Sequence, residues 1–284
     1  MEIIEAPDSM RARTRRGRAT GRRVALVPTM GALHAGHQRL IEVAHRHADE
    51  VVVSIFVNPI QFNRADDFAA YPRPMEADLA VCERLGAAAV YAPDATTMYP
   101  DGFDTHVVPG ALAEPMEGVF RPGHFRGVAT VVAKLFTAAE PDVAVFGQKD
   151  FQQLAVIRRM TADLDIGVEI VSVPTVREPD GLALSSRNVR LDASSRAAAV
   201  CVPRALAAAQ QAFTAGVRSG DQIQAAALSV LAAEPSARPE YVEVCDPASL
   251  RPVAAATHGA LVAAAVWFGE VRLIDNVLLG EPAS

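Results

Sequence analysis

The sequence predicts an α/β protein: a Rossmann-like, doubly wound parallel sheet with a smaller C-terminal α+β domain. Through about residue 174, short β-branched runs alternate with stretches whose apolar residues recur at helical spacing. Such alternation is typical of a parallel sheet whose crossover helices cover both faces. Further on, two alanine-rich helical stretches precede three strand-like runs, so we expect one domain at residues 1–175 and a second at residues 176–284.

The individual elements follow from local patterns in chain order. Continuous apolar runs, typical of strands buried on both faces, predict five parallel strands: Val24–Pro28, Val51–Val57, Ala88–Tyr91, Val143–Phe146 and Val168–Val173. Helical periodicity between them predicts four helices: Ala35–His47, Met75–Leu85, Gly127–Ala139 and Phe151–Leu164. The C-terminal patterns predict two helices and then three strands: Ala193–Ala215, Asp221–Ala233, Tyr241–Cys245, Ala260–Phe268 and Val271–Ile274.

Composition narrows the class of protein. Half of the residues are hydrophobic and 21% are charged, as in globular proteins with a substantial core. The net charge of −6 argues against a general nucleic-acid scaffold. Three scattered cysteines without a CxxC pair argue against disulfides and zinc and favour a reducing compartment. The longest apolar run, Ala260–Phe268, is far short of the ~20 residues that span a bilayer, and no signal-peptide core is evident. We therefore expect a cytoplasmic protein with no membrane partner.

Seven arginines crowd the segment before the first predicted strand. They are Arg11, Arg13, Arg15, Arg16, Arg18, Arg22 and Arg23. Such a run can bind nucleic-acid phosphates. It is also typical of a solvated first helix in a chain whose only lysines are Lys134 and Lys149. We favour the solvated helix and expect no nucleic-acid partner.

A candidate phosphate-binding turn lies between the first predicted strand and the first predicted helix. Residues 28–37 read Pro-Thr-Met-Gly-Ala-Leu-His-Ala-Gly-His. Gly31 and Gly36 permit a tight turn and close approach of a ligand, and the N–H groups at a helix start attract anions. His34 and His37 are three residues apart and can project toward one phosphate. This placement resembles that of HIGH-type nucleotidyltransferases; a histidine pair without a ligand is the alternative.

Other polar groups follow the carboxyl ends of predicted strands. Asn58 and Gln61 stand where a small polar substrate would lie, although an Asn-Pro turn alone could explain them. Lys149 can neutralise nucleotide phosphate, and Gln153 lies one turn further along; a surface cation is the alternative for Lys149. All four lie at positions where ligands of α/β proteins bind.

Two loops add hydroxyls and cations. Residues 181–188 contain Ser185, Ser186 and Arg187, which can grip a polyphosphate at the domain boundary; a polar hinge is the alternative. Residues 121–127 begin with Arg121 and contain two arginines and a histidine just before a predicted helix. A basic loop without a substrate is the alternative there.

Taken in order, these stretches resemble the pantoate–β-alanine ligase family over nearly the whole chain. The motifs that carry the resemblance are PTMGALHxGH, FVNPxQF, YPR, RPGHFRGV, FGxKDFQQL, PTVRExDGLALSSRN and RLIDN. The resemblance implies condensation of pantoate with β-alanine at the expense of ATP, releasing AMP and pyrophosphate through a pantoyl-adenylate intermediate. It also implies a homodimer joined through the larger domain.

The family pattern implies roles for individual residues. His37, His34 and Lys149 would be catalytic, and Gln61, Gln153, Asn58 and Arg121 would bind substrate. Magnesium would be carried mainly by the phosphates, with Asp78 as the protein contact. The residues that would bind ATP are Met30, Gly31, Ala32, Leu33, His34, Ala35, Gly36, His37, Gly147, Gln148, Lys149, Asp150, Val176, Leu184, Ser185, Ser186 and Arg187.

The chain departs from the family pattern at two positions. Gln148 stands where the family usually has Glu, and Ala77 stands where an acidic residue commonly precedes Asp78. Both departures remove negative charge near the expected metal, so magnesium affinity is affected more than the reaction itself.

The sequence leaves three alternative functions open. Another HIGH-type transferase would keep the histidines but leave the nucleotide on its product. A silent nucleotide-binding regulator would bind ATP without turnover. An RNA-binding protein would use the segment of residues 11–23 and bind in a salt-dependent manner.

Overall fold

The computed structural model describes residues 1–281 and contains two compact units. The first unit comprises residues 1–148 and 153–173, and the second comprises residues 149–152 and the chain from residue 174 onward.

A six-stranded parallel sheet forms the centre of the first unit. Its strands are β1 (Glu2–Ile4), β2 (Val24–Thr29), β3 (Glu50–Ile55), β4 (Ala89–Tyr91), β5 (Val143–Gly147) and β6 (Glu169–Val173). They lie in the order β1-β4-β3-β2-β5-β6, with every neighbouring pair parallel. The helices between them are α1 (Pro7–Ala19), α2 (Ala35–Ala44), α3 (Ala65–Ala69), α4 (Met75–Arg84), α5 (Ala95–Met98), α6 (Glu117–Phe120), α7 (His124–Ala139) and α8 (Phe151–Asp163).

Both faces of this sheet are covered, as a parallel sheet requires. Successive residues of a strand point to opposite faces. Val24 and Leu26 of β2 accordingly belong to a core shared with α7, whereas Ala25 and Val27 belong to a second core that includes Ile41 of α2. The predicted doubly wound α/β class is confirmed.

The strand order reverses direction between β2 and β5. From β2 the chain moves outward through β3 and β4, whereas β5 and β6 lie on the other side. In doubly wound sheets, ligands bind outside the carboxyl ends of the strands at this switch point. The turn that starts at Met30 and the residue Gly147 therefore occupy the ligand-binding edge.

Within the described residues, the second unit contains a three-stranded antiparallel sheet and three α-helices. These elements are α9 (Ala193–Ala198), α10 (Cys201–Thr214), α11 (Gly220–Ala232), β7 (Ala237–Cys245), β8 (Leu261–Phe268) and β9 (Val271–Leu278). The strand order is β7-β8-β9. Leu206 of α10, Leu231 of α11 and Val262 of β8 belong to one buried core, so the predicted α+β architecture is confirmed.

Several element boundaries differ from the sequence predictions. The expected strand Val51–Val57 ends at Ile55, because Pro59 lacks an N–H for sheet pairing and starts a 3-10 turn at Pro59–Gln61. The expected helix Ala193–Ala215 is two helices, α9 and α10. Pro203 lies in the first turn of α10, where its missing N–H is tolerated, whereas in the interior of a continuous helix it would break a hydrogen bond.

Two further differences lie near the expected site and in the last strand. Helix α7 begins at His124, three residues before the predicted start, because Gly123 adopts a left-handed conformation (φ +81°) just before it. Strand β9 continues to Leu278, four residues beyond the predicted end, through the polar pair Asp275 and Asn276. Strand β1 was not predicted, since its three residues are too short to show a period.

Most of the basic segment lies on α1, which ends at Ala19, and its arginines are largely paired with carboxylates. Glu50 accepts from Arg13 and Arg22, each at 2.7 Å, and Glu140 accepts from Arg15 at 2.6 Å. Further ion pairs join Arg11 to Asp8, Arg18 to Asp142 and Arg23 to Glu169. The predicted first helix is confirmed, and its pairing disfavours phosphate binding by this segment.

All three cysteines are buried and unpaired. Burial raises the thiol pKa of Cys82 and Cys201 to about 11 and that of Cys245 to about 12. Helices long and apolar enough for a bilayer crossing do not occur within residues 1–281.

Candidate active site

The turn between β2 and α2 has a tightly constrained backbone. Gly31 has φ +85° and Ala32 has φ +51°. The Thr29 hydroxyl accepts a hydrogen bond from the Gly31 N–H at 3.1 Å and donates to the Ser54 carbonyl at 2.7 Å. A Cβ at position 31 would stand 2.9 Å from a carboxylate oxygen of Asp78. Glycine is therefore required both for its positive φ and for this close approach.

Asp78, on α4, stabilises the turn through hydrogen bonds to its main chain. Its side chain is 2% exposed, and its two oxygens accept the N–H groups of Ala32 and Leu33 at 2.8 and 2.7 Å. Charged hydrogen bonds of this kind are short and strong. The carboxylate thus holds the backbone that carries the histidines, and it has only its remaining lone pairs to offer a metal ion.

Both histidines of the turn receive a main-chain hydrogen bond at Nδ1. Nδ1 of His34 accepts from the Gly36 N–H at 3.1 Å, and Nδ1 of His37 accepts from the His34 N–H at 3.3 Å. A ring nitrogen that accepts an N–H carries no proton, so each neutral imidazole holds its proton at Nε2. The first turn of α2 therefore combines Nε2–H donors with the positive end of a helix dipole, which suits phosphate oxygens.

An amide network fixes Gln61 after β3. Gln61 is 7% exposed; its Oε1 accepts from Asn58 Nδ2 at 2.9 Å, and its Nε2 donates to the Met30 sulfur at 3.1 Å. Asn58 is 1% exposed and also donates to the Gly127 carbonyl at 3.1 Å. Its Oδ1 accepts from the Tyr99 hydroxyl at 2.7 Å. The Asn58 amide is therefore engaged inside the protein, where it supports Gln61.

Burial raises the pKa of the Tyr99 hydroxyl above its ordinary value, so Tyr99 remains a hydrogen-bond donor even in alkaline solution. Sequence reasoning missed Tyr99, because it lies 41 positions from Asn58 in an unpatterned segment.

Helix α7 packs closely against the 3-10 turn that carries Gln61. Nδ1 of His124 lies 2.9 Å from the Gln61 carbonyl oxygen, and Nη2 of Arg121 lies 3.4 Å from the same atom. A Cβ on Gly127 would stand 2.5 Å from the Ile60 carbonyl oxygen, so only glycine permits the observed contact. Residues 121–127 therefore support the Gln61 backbone. Arg121, predicted to bind substrate, lies in this group and is 3.4 Å from Glu117.

The other predicted residues of the first unit lie near the end of β5. Gly147 ends this strand, and Gln148 starts the 3-10 turn Gln148–Asp150. A Cβ on Gly147 would meet no atom within 4 Å, so its surroundings are open. Gln153 lies in the first turn of α8 and is half-buried.

In the second unit, residues 176–188 form a hydrogen-bonded turn. The Leu184 N–H donates to the Val176 carbonyl at 3.0 Å, and the Ser185 hydroxyl accepts the Arg187 N–H at 3.2 Å. Residues 184–187 are half-buried. The predicted ATP-binding residues Val176, Leu184, Ser185, Ser186 and Arg187 thus lie on one ordered turn.

An ion pair between Arg177 and the buried carboxylate of Asp275 anchors this turn to β9. Arg177 donates to both oxygens of Asp275, at 2.7 and 3.1 Å, and also to the Gly181 carbonyl at 3.1 Å. Asp275 is 3% exposed. Sequence reasoning placed Asp275 in a family motif but assigned it no individual role; the motif itself was the available signal.

Lys149 and Asp150 also belong to the second unit. The Lys149 side chain is 19% exposed, and its Nζ lies 4.0 Å from a carboxylate oxygen of Asp150. Asn276 Nδ2 donates to the Lys149 main-chain oxygen at 2.8 Å. The residue after the anchoring Asp275 therefore contacts the segment that carries the predicted catalytic lysine.

Metal-ligating side chains do not cluster in the described part of the chain. Within residues 1–281, no group of three or more His, Cys, Asp or Glu residues is arranged to hold a metal ion. Asp78 is the predicted protein contact for magnesium. Its carboxylate already accepts hydrogen bonds from two main-chain N–H groups.

Comparison with known proteins identifies the family. The model of the pantoate–β-alanine ligase family matches residues 2–278. Pantothenate synthetase of Geobacter sulfurreducens is 50% identical over 281 residues, which cover 99% of both chains. That of Chloroflexus aurantiacus is 53% identical over 269 residues, covering 94% of this chain and 96% of the relative.

Solved structures agree over the same length. Pantothenate synthetase of Thermus thermophilus is 45% identical with a TM-score of 0.93, covering 98% of this chain and 99% of the other. A Francisella tularensis pantoate–β-alanine ligase, solved in complex with β,γ-ATP and β-alanine, is 32% identical with a TM-score of 0.83 over all of both chains. With matches of this length and identity, the chain belongs to the pantoate–β-alanine ligase family.

Proposed function

We propose that this protein condenses pantoate with β-alanine to give pantothenate, converting ATP to AMP and pyrophosphate through pantoyl-adenylate. The observation that carries the proposal is the β2–α2 turn, where main-chain N–H groups hold both histidines with their protons at Nε2 beside a helix start. Membership in the ligase family agrees with this reaction.

The first step follows from the charge of the acid. A carboxylate resists attack by an amine because oxide is a poor leaving group, so it must first be joined to AMP. Pantoate is already ionised at neutral pH, and its carboxylate oxygen attacks the α-phosphorus. The bond from the α-phosphorus to the bridging oxygen breaks, and pyrophosphate leaves with its electrons. No protein nucleophile is needed; positioning and stabilisation of phosphate charge suffice.

The residues divide between the reactants. We assign the phosphates to His34, His37 and Lys149, with His37 as the principal donor to developing charge. Gln61 and Gln153 hold pantoate, while Asn58 and Arg121 support the Gln61 backbone and amide. The remaining ATP contacts are Met30, Gly31, Ala32, Leu33, Ala35, Gly36, Gly147, Gln148, Asp150, Val176, Leu184, Ser185, Ser186 and Arg187.

Magnesium fits this chain as a companion of the nucleotide. Mg²⁺ retains waters and commonly binds through one or two carboxylates plus substrate phosphates, and Asp78 supplies one carboxylate with lone pairs to spare. When bound, the ion would neutralise phosphate charge. The other work of Asp78 is to hold the Ala32 and Leu33 amides.

The second step forms the amide bond. The β-alanine nitrogen attacks the acyl carbon of the adenylate, and AMP leaves with the C–O bond electrons. The amine must be neutral to attack, and because its pKa is near 10 a proton has to leave. The proposal further includes a cytoplasmic homodimer, with residues 1–175 binding ATP and pantoate and residues 176–284 acting as a lid domain.

The test is pantoate-dependent release of AMP. With ATP and Mg²⁺ present, AMP and pantothenate should form over many turnovers only when pantoate and β-alanine are both supplied. Gln61→Ala and Gln153→Ala should each raise the KM for pantoate about tenfold, as expected for one lost polar contact, with little change in the KM for ATP. Gln211→Ala, at an exposed position of α10 in the second unit, is the matched control.

The alternatives give different results in the same assay. A transferase would leave the nucleotide on a stable product, and a silent regulator would release no AMP with or without His37→Ala. Equal weakening of ATP and pantoate by Gln61→Ala would contradict the assignment of Gln61 to pantoate.

A further inference from the structure

The end of strand β9 contacts two separate segments of the second unit. Asp275 and Asn276 are adjacent residues, and side chains of adjacent strand residues point to opposite faces of a sheet. Both are nearly buried, at 3% and 6% exposure. Asp275 binds Arg177, at the start of the turn of residues 176–188, whereas Asn276 binds the main chain of Lys149.

Asn276 is itself held in place. Its N–H donates to Asp275 Oδ1 at 2.8 Å, and that carboxylate is gripped by the two Nη atoms of Arg177. Strand β9 also pairs with β8 in register, with Asn276 opposite Ala263. These contacts fix the Asn276 backbone, and from that backbone the Asn276 amide reaches the Lys149 carbonyl oxygen.

The main-chain position of a lysine limits the region that its ammonium group can occupy. Its ammonium group ends a flexible four-carbon stem, so the position of its Cα decides which region Nζ can reach. The Asn276 amide holds the Lys149 carbonyl oxygen at 2.8 Å. Displacement of a charge-stabilising group by about 1 Å can cost about 100-fold in rate.

We propose that Asn276 is a positioning residue for Lys149, holding the main chain of the lysine so that its ammonium group meets the phosphates of ATP. The inference rests on the proposed function for its catalytic meaning. The hydrogen bond itself can be tested without activity.

The first test uses the fact that the chain has two lysines. Protein labelled with ¹³C-lysine gives two ε-methylene signals, assigned by Lys149→Ala. Asn276→Leu, a similarly shaped residue without the donor, should shift the Lys149 signal and leave that of Lys134, which lies on α7, unchanged. Gln224→Ala is the matched control, because Gln224 also donates a side-chain amide to a main-chain carbonyl, that of Val242 in the same unit.

The second test separates positioning from a general structural role. Asn276→Leu should lower kcat for pantoate-dependent AMP formation about 10- to 100-fold, with Gln224→Ala unchanged. In a Lys149→Ala background, measured by single-turnover AMP formation, Asn276→Leu should cost nothing further, because both changes act through one group.

The results of these two tests either support or overturn the proposed role of Asn276. An unshifted Lys149 signal, or an equal loss of rate with and without the lysine, would overturn the proposal. Should Asn276→Leu fail to fold, Asn276→Ala makes the same two measurements. If the wild type releases no AMP, the proposed function fails, and the lysine spectrum still reports separately on the contact between Asn276 and Lys149.

Discussion

Main-chain hydrogen bonds determine which ring nitrogen of His34 and His37 acts as a donor. A histidine can present either nitrogen as a donor, and here the N–H groups of His34 and Gly36 occupy the Nδ1 atoms. The sequence predicted that the pair sits at the start of a helix, because strand, glycines and helix follow each other directly. It could not predict the orientation of the rings, which depends on the backbone path through Gly31 and Ala32.

Substitution of His37 by two different amides tests this orientation. Asparagine can accept the His34 N–H but places nothing at the Nε2 position, whereas glutamine reaches that position with an N–H donor. His37→Asn should lower kcat for AMP release by about 10²–10³, the usual effect of losing one charge-stabilising donor. His37→Gln should retain substantially more activity.

Thermal melting is the control for this pair of variants. Both should melt within a few degrees of the wild type, since His37 is only half-buried. Equal activity of the two variants would show that the Nε2 donor is not what His37 contributes.

At the scale of elements, periodicity predicted individual strands and helices but not the contacts between residues that are far apart in the sequence. The buried strands β2, β3 and β5 and the helix α2 follow from apolar runs and spacing within each segment. Contacts across the chain do not: Asp78 supports a turn 45 positions earlier, and Arg177 binds a carboxylate 98 positions away. The Gln61 network likewise depends on α7, which no pattern near Gln61 could reveal.

Gly127→Ala tests the contact between α7 and the turn of Gln61. The added methyl group would lie 2.5 Å from the Ile60 carbonyl oxygen and 2.7 Å from Gln61 Cα, both backbone atoms that must move. We expect a loss of about 1–3 kcal/mol in the free energy of unfolding and a raised KM for pantoate. Chemical denaturation and steady-state kinetics provide the two measurements.

Gly167→Ala is the matched control, because a Cβ there would meet nothing within 4 Å. It should leave both quantities unchanged. An unaltered KM for pantoate in Gly127→Ala would mean that the position of Gln61 does not depend on α7.

At the scale of the whole molecule, the carboxylates of Glu50 and Glu243 affect the stability of the fold in opposite directions at neutral pH. Burial pushes the pKa of Glu50 upward, but the hydrogen bonds and charges of Arg22 and Arg13 outweigh it, and the net pKa is lowered. Glu50 therefore stabilises the fold at neutral pH, and that contribution is lost as the pH falls through its lowered pKa. Glu243 on β7 is half-buried, and burial raises its pKa.

Because the pKa of Glu243 is raised, replacing Glu243 with the neutral residue glutamine should stabilise the fold in a pH-dependent way. The folded state binds the proton of Glu243 more tightly than the unfolded state, so stability is lost as the pH rises through the folded pKa. Glu243→Gln should raise the Tm at pH 7.5 by about 1–3 °C. Below about pH 4, where the wild-type carboxyl is protonated in both states, the difference should vanish.

Melting curves at about pH 7.5 and about pH 4 check this expectation. The exposed residue Glu83 supplies the control, since Glu83→Gln should leave Tm within error of the wild type at both pH values. A lower Tm for Glu243→Gln at the higher pH would contradict the destabilising role of the charged form.

The buried cysteines make this protein well suited to site-specific labelling. Maleimide and iodoacetamide dyes react with accessible thiolates, and Cys82, Cys201 and Cys245 combine burial with thiol pKa values of about 11 to 12. Val189, two residues after Arg187, is 82% exposed. A Val189→Cys variant could therefore carry a single fluorophore beside the turn of residues 176–188, with all three native thiols left in place.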